Sequence, residues 1–218
     1  MRFAHDPGVP TWFQADRIES LLEILRDEVN LAVWQRPLAP PVQAFVSALL
    51  QHSGQLAEAH TLEVRKDRQD DTPVVIPRLA GAMSQLEGYT EFIADVAYLI
   101  DAFASLVDAQ LIGLRLRLLD QDMCPRWHVD HVPVRLVSSY AGPGSEWLEE
   151  GQLPREYLGG PGIDRYSRGV SSQILGVGDV ALLKGERWQG NVGRGLIHRS
   201  PAVAEGERRL LLTLDWLK

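Results

Sequence analysis

"LIGLRLRLL" (residues 111–119) sets Leu114, Leu116 and Leu118 against Arg115 and Arg117. Successive side chains of an extended strand point to opposite faces, so this period of two predicts a β-strand with one apolar face. It also marks a boundary in the chain. Before it, apolar residues recur at helical spacing. "DRIESLLEILRDEVNLAVW" (16–34) places Ile18, Leu21, Leu22, Leu25 and Val29 on one stripe behind Asp16 as N-cap. "PPVQAFVSALLQ" (40–51) opens with proline, which suits a first helical turn, and repeats Val42, Phe45, Val46 and Leu49. "EFIADVAYLIDAFASLV" (91–107) is a third helix, on Phe92, Val96, Leu99, Ile100, Phe103, Leu106 and Val107. Short strand-like pieces, "TLEVR" (61–65) and "PVVIP" (73–77), flank a polar loop, "KDRQDDTP" (66–73).

After residue 110 the period of two persists. "VRLVSSY" (134–140), "GLIHRS" (195–200) and "RRLLLTLDW" (208–216) read as strands. "QILGVGDVALLKG" (173–185) reads as two short strands around a Gly-Asp turn, and 141–170 as a long Gly/Pro-rich loop. The expected fold is α+β. A mainly helical N-terminal layer (1–110) packs on a jelly-roll core (111–218), the whole forming one compact domain.

Composition narrows the functional classes. Hydrophobic content of 45% and charged content of 23% are ordinary for a globular chain. No apolar run approaches the roughly 18 residues of a membrane span, and the first residues lack a secretory apolar core. With one cysteine there is no internal disulfide framework, so a cytoplasmic setting is expected. The net charge of −7 is uneven: residues 1–110 hold 8 Lys+Arg against 16 Asp+Glu, residues 111–218 hold 14 against 13. An acidic first half argues against nucleic-acid binding, while the Arg-rich second half suits a small anion.

"CPRWHVDH" (124–131) gathers the only cysteine, two of the six histidines and an aspartate. In an extended segment His128 and Asp130 face the same way, with Val129 opposite. His198, closing a later strand, supplies a third donor. Two imidazoles and one carboxylate on one face leave the remaining metal positions open, the arrangement of non-heme Fe(II) oxygenases. In "RRLLLTLDW", Arg208 shares a face with Leu210, Leu212, Leu214 and Trp216. That more apolar face is expected to point inward, and an inward guanidinium asks for an anionic partner.

With these residues in place, the second half resembles the Fe(II)/2-oxoglutarate-dependent dioxygenases, especially the prolyl-hydroxylase-like branch. The likeness rests on "HVD" (128–130), "VRLVSSY" (134–140), "GPGSEW" (142–147), "GDVALL" (178–183) and "HRSPAVAEGER" (198–208). It implies a double-stranded β-helix of cupin type. His128, Asp130 and His198 would hold Fe(II), and Arg208 would bind the distal carboxylate of 2-oxoglutarate. Tyr140 and Trp127 would line the pocket, and a small molecule or protein side chain would be hydroxylated as 2-oxoglutarate is decarboxylated to succinate. "CPRWHVDHVPVRLVSSYAGPGSEWL", with "LLKGE" and "HRSP", also resembles a bacterial family of uncharacterised function whose genes often accompany zinc-responsive ones. The alternative is therefore a non-catalytic protein of zinc homeostasis, holding Zn(II) through Cys124, His128, His131 and His198. On the first reading Cys124 and His131 lie outside the ligand set. "GVGDVA" (176–181) fits a dinucleotide-binding pattern, but no helix follows it. No G-x-S-x-G elbow occurs.

Overall fold

The computed structural model describes residues 8–64, 76, 78–160, 163–167 and 169–217. The stretch 111–119 forms β4 (Leu111–Leu119) and pairs antiparallel along its whole length with β10 (Arg209–Leu217). On its other side lies β3 (Leu56–Glu63), also antiparallel. Adding β1 (Thr11–Ala15), β2 (Val29–Trp34), β5 (Val134–Ala141) and β8 (Val180–Lys184) gives a seven-stranded sheet, in the order β1-β2-β8-β5-β10-β4-β3. A second sheet of three short strands has the order β7-β6-β9: β6 (Glu146–Trp147), β7 (Gln173–Ile174) and β9 (His198–Arg199).

The large sheet is covered on both faces by different partners. Leu114, Leu116, Leu136, Leu182, Leu210, Leu212 and Leu214 share one core with α1 (Pro40–His52) and α2 (Tyr89–Val107), through Phe45, Leu49, Phe92, Leu99 and Phe103 among others. Leu210, Leu212 and Leu214 are fully buried there, at about 1.5–3 kcal/mol each. From the opposite face Leu31, Val33, Val137, Ala181 and Leu183 meet Trp147 of β6, with Leu175 and Leu196. The two sheets thus pack as a sandwich, and the space between them holds the polar residues of β4, β5 and β10.

The first 110 residues are mixed rather than mainly helical, since they supply β1, β2 and β3 to the large sheet. The helix expected over 16–34 is a 3₁₀ segment, Ile18–Leu25, followed by β2. "VNLAVW" is apolar but for Asn30 and buried between β1 and β8, and a strand covered on both faces has no need of alternation. β3 begins at Leu56, before the "TLEVR" piece. The loop expected over 66–73 and the strand over 73–77 lie outside the described residues, Ile76 excepted. Residues 141–170 carry β6 and a short helix, Ile163–Tyr166. Among the described residues no helix is long and apolar enough to cross a membrane.

Candidate metal centre

His128 and His198 are brought together by backbone pairing. Each amide donates to the other's carbonyl at 3.0 Å, an isolated antiparallel bridge at the edge of β9. The imidazole centroids stand 4.5 Å apart. Asp130, two residues along the extended segment, faces the same way. His128, Asp130 and His198 each offer a donor atom, all within 4.8 Å of one another.

The donor atoms are aimed by their surroundings. His128 Nδ1 lies 2.9 Å from the Arg126 carbonyl, and His198 Nδ1 lies 3.1 Å from that of Leu196. A carbonyl only accepts, so both rings carry a proton on Nδ1 and turn Nε2 inward. Burial pushes His198 down to about 4, so its ring is neutral near pH 7. Asp130 Oδ1 accepts from Arg135 at 2.8 Å, while Asp130 Oδ2 is buried with no hydrogen-bond donor among the described residues. That oxygen lies 3.4 Å from His198 Nε2. Two buried acceptors are therefore turned toward each other, with His128 closing the cluster on its more exposed side. A divalent cation between them satisfies both, and two imidazoles plus one carboxylate suit Fe(II) or another borderline metal. The residues fit the group.

Arg135 fixes the carboxylate from behind. It donates to Asp130 and, through Nε at 2.6 Å and Nη2 at 3.1 Å, to the buried Asp215 of β10. Asp215 also accepts from Arg115. Outer contacts of this kind orient a ligand and tune its charge. The turn after β8 holds the same segment: Gly185 N donates to the Pro133 carbonyl at 2.8 Å, and Glu186 N to that of Asp130 at 2.9 Å. A Cβ on Gly185 would sit 2.1 Å from the Val132 oxygen and 2.7 Å from the Asp130 oxygen. Gly185→Ala is thus expected to displace 130–132 and weaken metal binding by about 10–100-fold, as loss of outer support does. Metal titration checks this, with far-UV circular dichroism unchanged.

Several expected residues lie elsewhere. Arg208 points away from the site and donates to the carbonyls of Leu50 and Ser53, at 2.6 Å each, and of Gly54 at 3.0 Å. It caps the C-terminal end of α1, where unpaired carbonyls attract a cation. The inward arginine is Arg209. The most apolar face of β10 goes to the helices, so the Arg209–Leu211–Thr213–Asp215 face turns into the sandwich. Arg209 is 1% exposed and held only by the hydroxyls of Ser139 (3.3 Å) and Ser145 (2.8 Å). Burial lowers it to about 10, and no carboxylate among the described residues pairs with it. Ser145 directly precedes β6, whose Trp147 lies opposite His198, so Ser145 and His198 share the inner face of the small sheet.

Tyr140 faces α2. The β5–β10 register shifts beside it, and its hydroxyl donates to Asp95 at 2.5 Å while its ring packs edge-on against Phe92. Trp127 alternates away from His128 into a separate apolar cluster with Leu148, Leu153, Ile163 and Ile197. Cys124 and His131 are exposed and stand outside the donor cluster, so the described structure does not gather the four residues of the zinc alternative. Sequence reasoning missed Arg209, Ser139, Ser145 and Asp215. Arg209 and Asp215 share one face of β10 with Leu211 and Thr213, a mixed face that ordinarily marks solvent, while Ser139 and Ser145 carried no signal of their own.

Known structures share this fold at low identity. The chain is similar to IDO from Bacillus thuringiensis, with 9% identity over 93% of this chain and 95% of that one and a TM-score of 0.51. A prolyl-4-hydroxylase from Pseudomonas putida aligns at 11% identity over 93% and 99% of the two chains, with a TM-score of 0.49. The rice dioxygenase for auxin oxidation aligns at 13% over 96% and 83%, also at 0.49. No curated protein matches the chain. Over residues 15–215 it matches the model of a family described as a protein of unknown function, DUF1826, and the chain belongs to that family.

Proposed function

We propose that this protein is a non-heme Fe(II)- and 2-oxoglutarate-dependent oxygenase, a hydroxylase built on a double-stranded β-helix. One observation carries the reading: a neutral imidazole nitrogen and a buried carboxylate oxygen face each other at 3.4 Å with no donor between them. His128, Asp130 and His198 hold the metal and leave its other positions free. Arg209 is the cosubstrate residue. Its guanidinium is buried, uncompensated by any described carboxylate, and shares the sandwich interior with His198. A guanidinium fork takes a carboxylate through two parallel hydrogen bonds, and Ser139 and Ser145 hold the fork in place. Bound Fe(II) would activate O₂, and oxidative decarboxylation of 2-oxoglutarate to succinate and CO₂ would supply the two electrons that hydroxylation by O₂ requires. The protein's own part is to aim three ligands and to hold the Asp130 carboxyl in place against Arg135.

The test is an anaerobic titration of metal-free protein with Fe(II) and then 2-oxoglutarate. A saturable visible charge-transfer band is expected, because a chelating 2-oxoacid on Fe(II) needs the three-ligand face and adjacent open positions. Tight Fe(II) binding with no band on adding 2-oxoglutarate would reject the oxygenase reading. Tight Zn(II) binding dependent on Cys124 would replace it with the zinc one.

A further inference from the structure

A cavity of about 250 Å³ opens on the inner face of the large sheet, lined by Arg115, Arg117, Met123, Arg135, Leu211 and Thr213. We infer that it binds the anionic group, a carboxylate or a phosphate, of a small acidic primary substrate. This inference rests on the oxygenase reading for its place in catalysis, though not for its chemistry. Arg135 joins the cavity to the metal centre, since it lines the wall and also donates to Asp130. Arg209 and its two serines are not among the lining residues, so this cationic site is separate from the one assigned to the cosubstrate.

The charge is unbalanced. Asp215 answers both Arg115 and Arg135, leaving Arg117 with no hydrogen bond or ion pair among the described residues. On the neighbouring strand β3 the residues opposite Arg117 and Arg115 are Ala57 and Ala59, and the acid on this face, Glu63, stands opposite Leu111, four residues along β4 from Arg115. Guanidinium groups grouped around a concave wall, with two acids, Asp130 and Asp215, among three of them, recognise anionic oxygens through charge-assisted hydrogen bonds. The volume lies just below the usual range for drug-sized ligands, which fits a metabolite-sized molecule. Leu211 and Met123 supply an apolar wall for its carbon skeleton. A nucleic-acid strand would need a continuous basic face, and the first half of the chain is acidic.

Arg117→Met is the test variant, because Arg117 holds no other side chain among the described residues. Calorimetry follows inorganic phosphate and, separately, succinate binding to metal-free protein, in the native chain, in Arg117→Met and in Arg209→Met. At least one anion is expected to bind the native chain and Arg209→Met, and to bind Arg117→Met roughly tenfold or more weakly, the usual effect of losing a charged hydrogen bond. Which of the two binds separates the phosphate from the carboxylate class. Failure of both anions to bind, or binding lost in Arg209→Met and kept in Arg117→Met, would overturn the inference. The oxygenase reading is judged independently by the Fe(II)/2-oxoglutarate band, so either can fail while the other stands.

Discussion

Arg209→Met will abolish the 2-oxoglutarate-dependent band while Fe(II) binding stays at the native level. The substitution removes the one buried guanidinium that lacks a carboxylate among the described residues and keeps most of its volume. Without cosubstrate the variant is expected to be as stable as the native protein or more so. Replacing a buried charge by a well-packed apolar side chain is often neutral to stabilising, by about 1–4 kcal/mol. The two effects together are diagnostic. A residue kept for stability would lower the melting temperature when removed. A residue kept for an absent anion costs stability until that anion arrives, and adding 2-oxoglutarate to the Fe(II)-loaded protein should further raise the melting temperature of the native chain but not of Arg209→Met. Arg208→Met gives the mirror image. It deprives the end of α1 of a cationic donor to three carbonyls, at about 1.5–3 kcal/mol per such bond before solvent exposure discounts it. It should leave the band intact. If Arg208→Met erased the band and Arg209→Met did not, the assignment of β10's inner face would be wrong.

The second large effect is at Asp130. Asp130→Asn preserves the shape of the side chain and removes its charge. Fe(II) affinity should fall by at least about 10²-fold, beyond the effect of disturbing an outer partner. The metal-free variant should nevertheless unfold at a higher urea concentration than the metal-free native chain. In the native site Asp130 Oδ2 and His198 Nε2 are two acceptors 3.4 Å apart. An asparagine amide turned with its oxygen toward Arg135 donates its NH₂ to His198, making a hydrogen bond where there was none. That bond is worth about 1 kcal/mol, reduced by the weaker pairing of Arg135 with a neutral oxygen. Arg135 keeps Asp215 and so is not stranded. Equilibrium unfolding in chelator, with and without added Fe(II), separates the two terms. A metal-free Asp130→Asn that is markedly less stable than native would mean that Asp130 serves the fold as an ionised partner of Arg135 and not a cation between Asp130 and His198.

These expectations trace back to what the chain shows before it folds. Local alternation was enough to put His128 and Asp130 on one side of an extended segment and Trp127 and Val129 on the other, because pleating is a property of two or three residues. The helices at 40–52 and 89–107 were legible for the same reason: a single apolar stripe of period 3.6 has one interpretation. The strand at 29–34 was not, because a strand buried on both faces loses its alternation and imitates a helix.

The sequence by itself determined the three metal-ligand candidates, the strand character of the second half and the need for a buried arginine near the end of the chain. Only the tertiary structure decided which arginine. Alternation divides Arg208 from Arg209 but does not say which side is the interior, and the sheet has two interiors. Its helical side took the leucine face, where burial of Leu210, Leu212 and Leu214 contributes most. The polar face of Arg209, Thr213 and Asp215 was left to line the space between the sheets. The same choice turned Tyr140 toward Asp95, Arg135 onto Asp130 and Asp215, and Arg115 and Arg117 toward the cavity. Two of these pairs lie tens of residues apart along the chain, 45 for Tyr140 and Asp95 and 80 for Arg135 and Asp215, and only the packing of one sheet between two different layers brings them together.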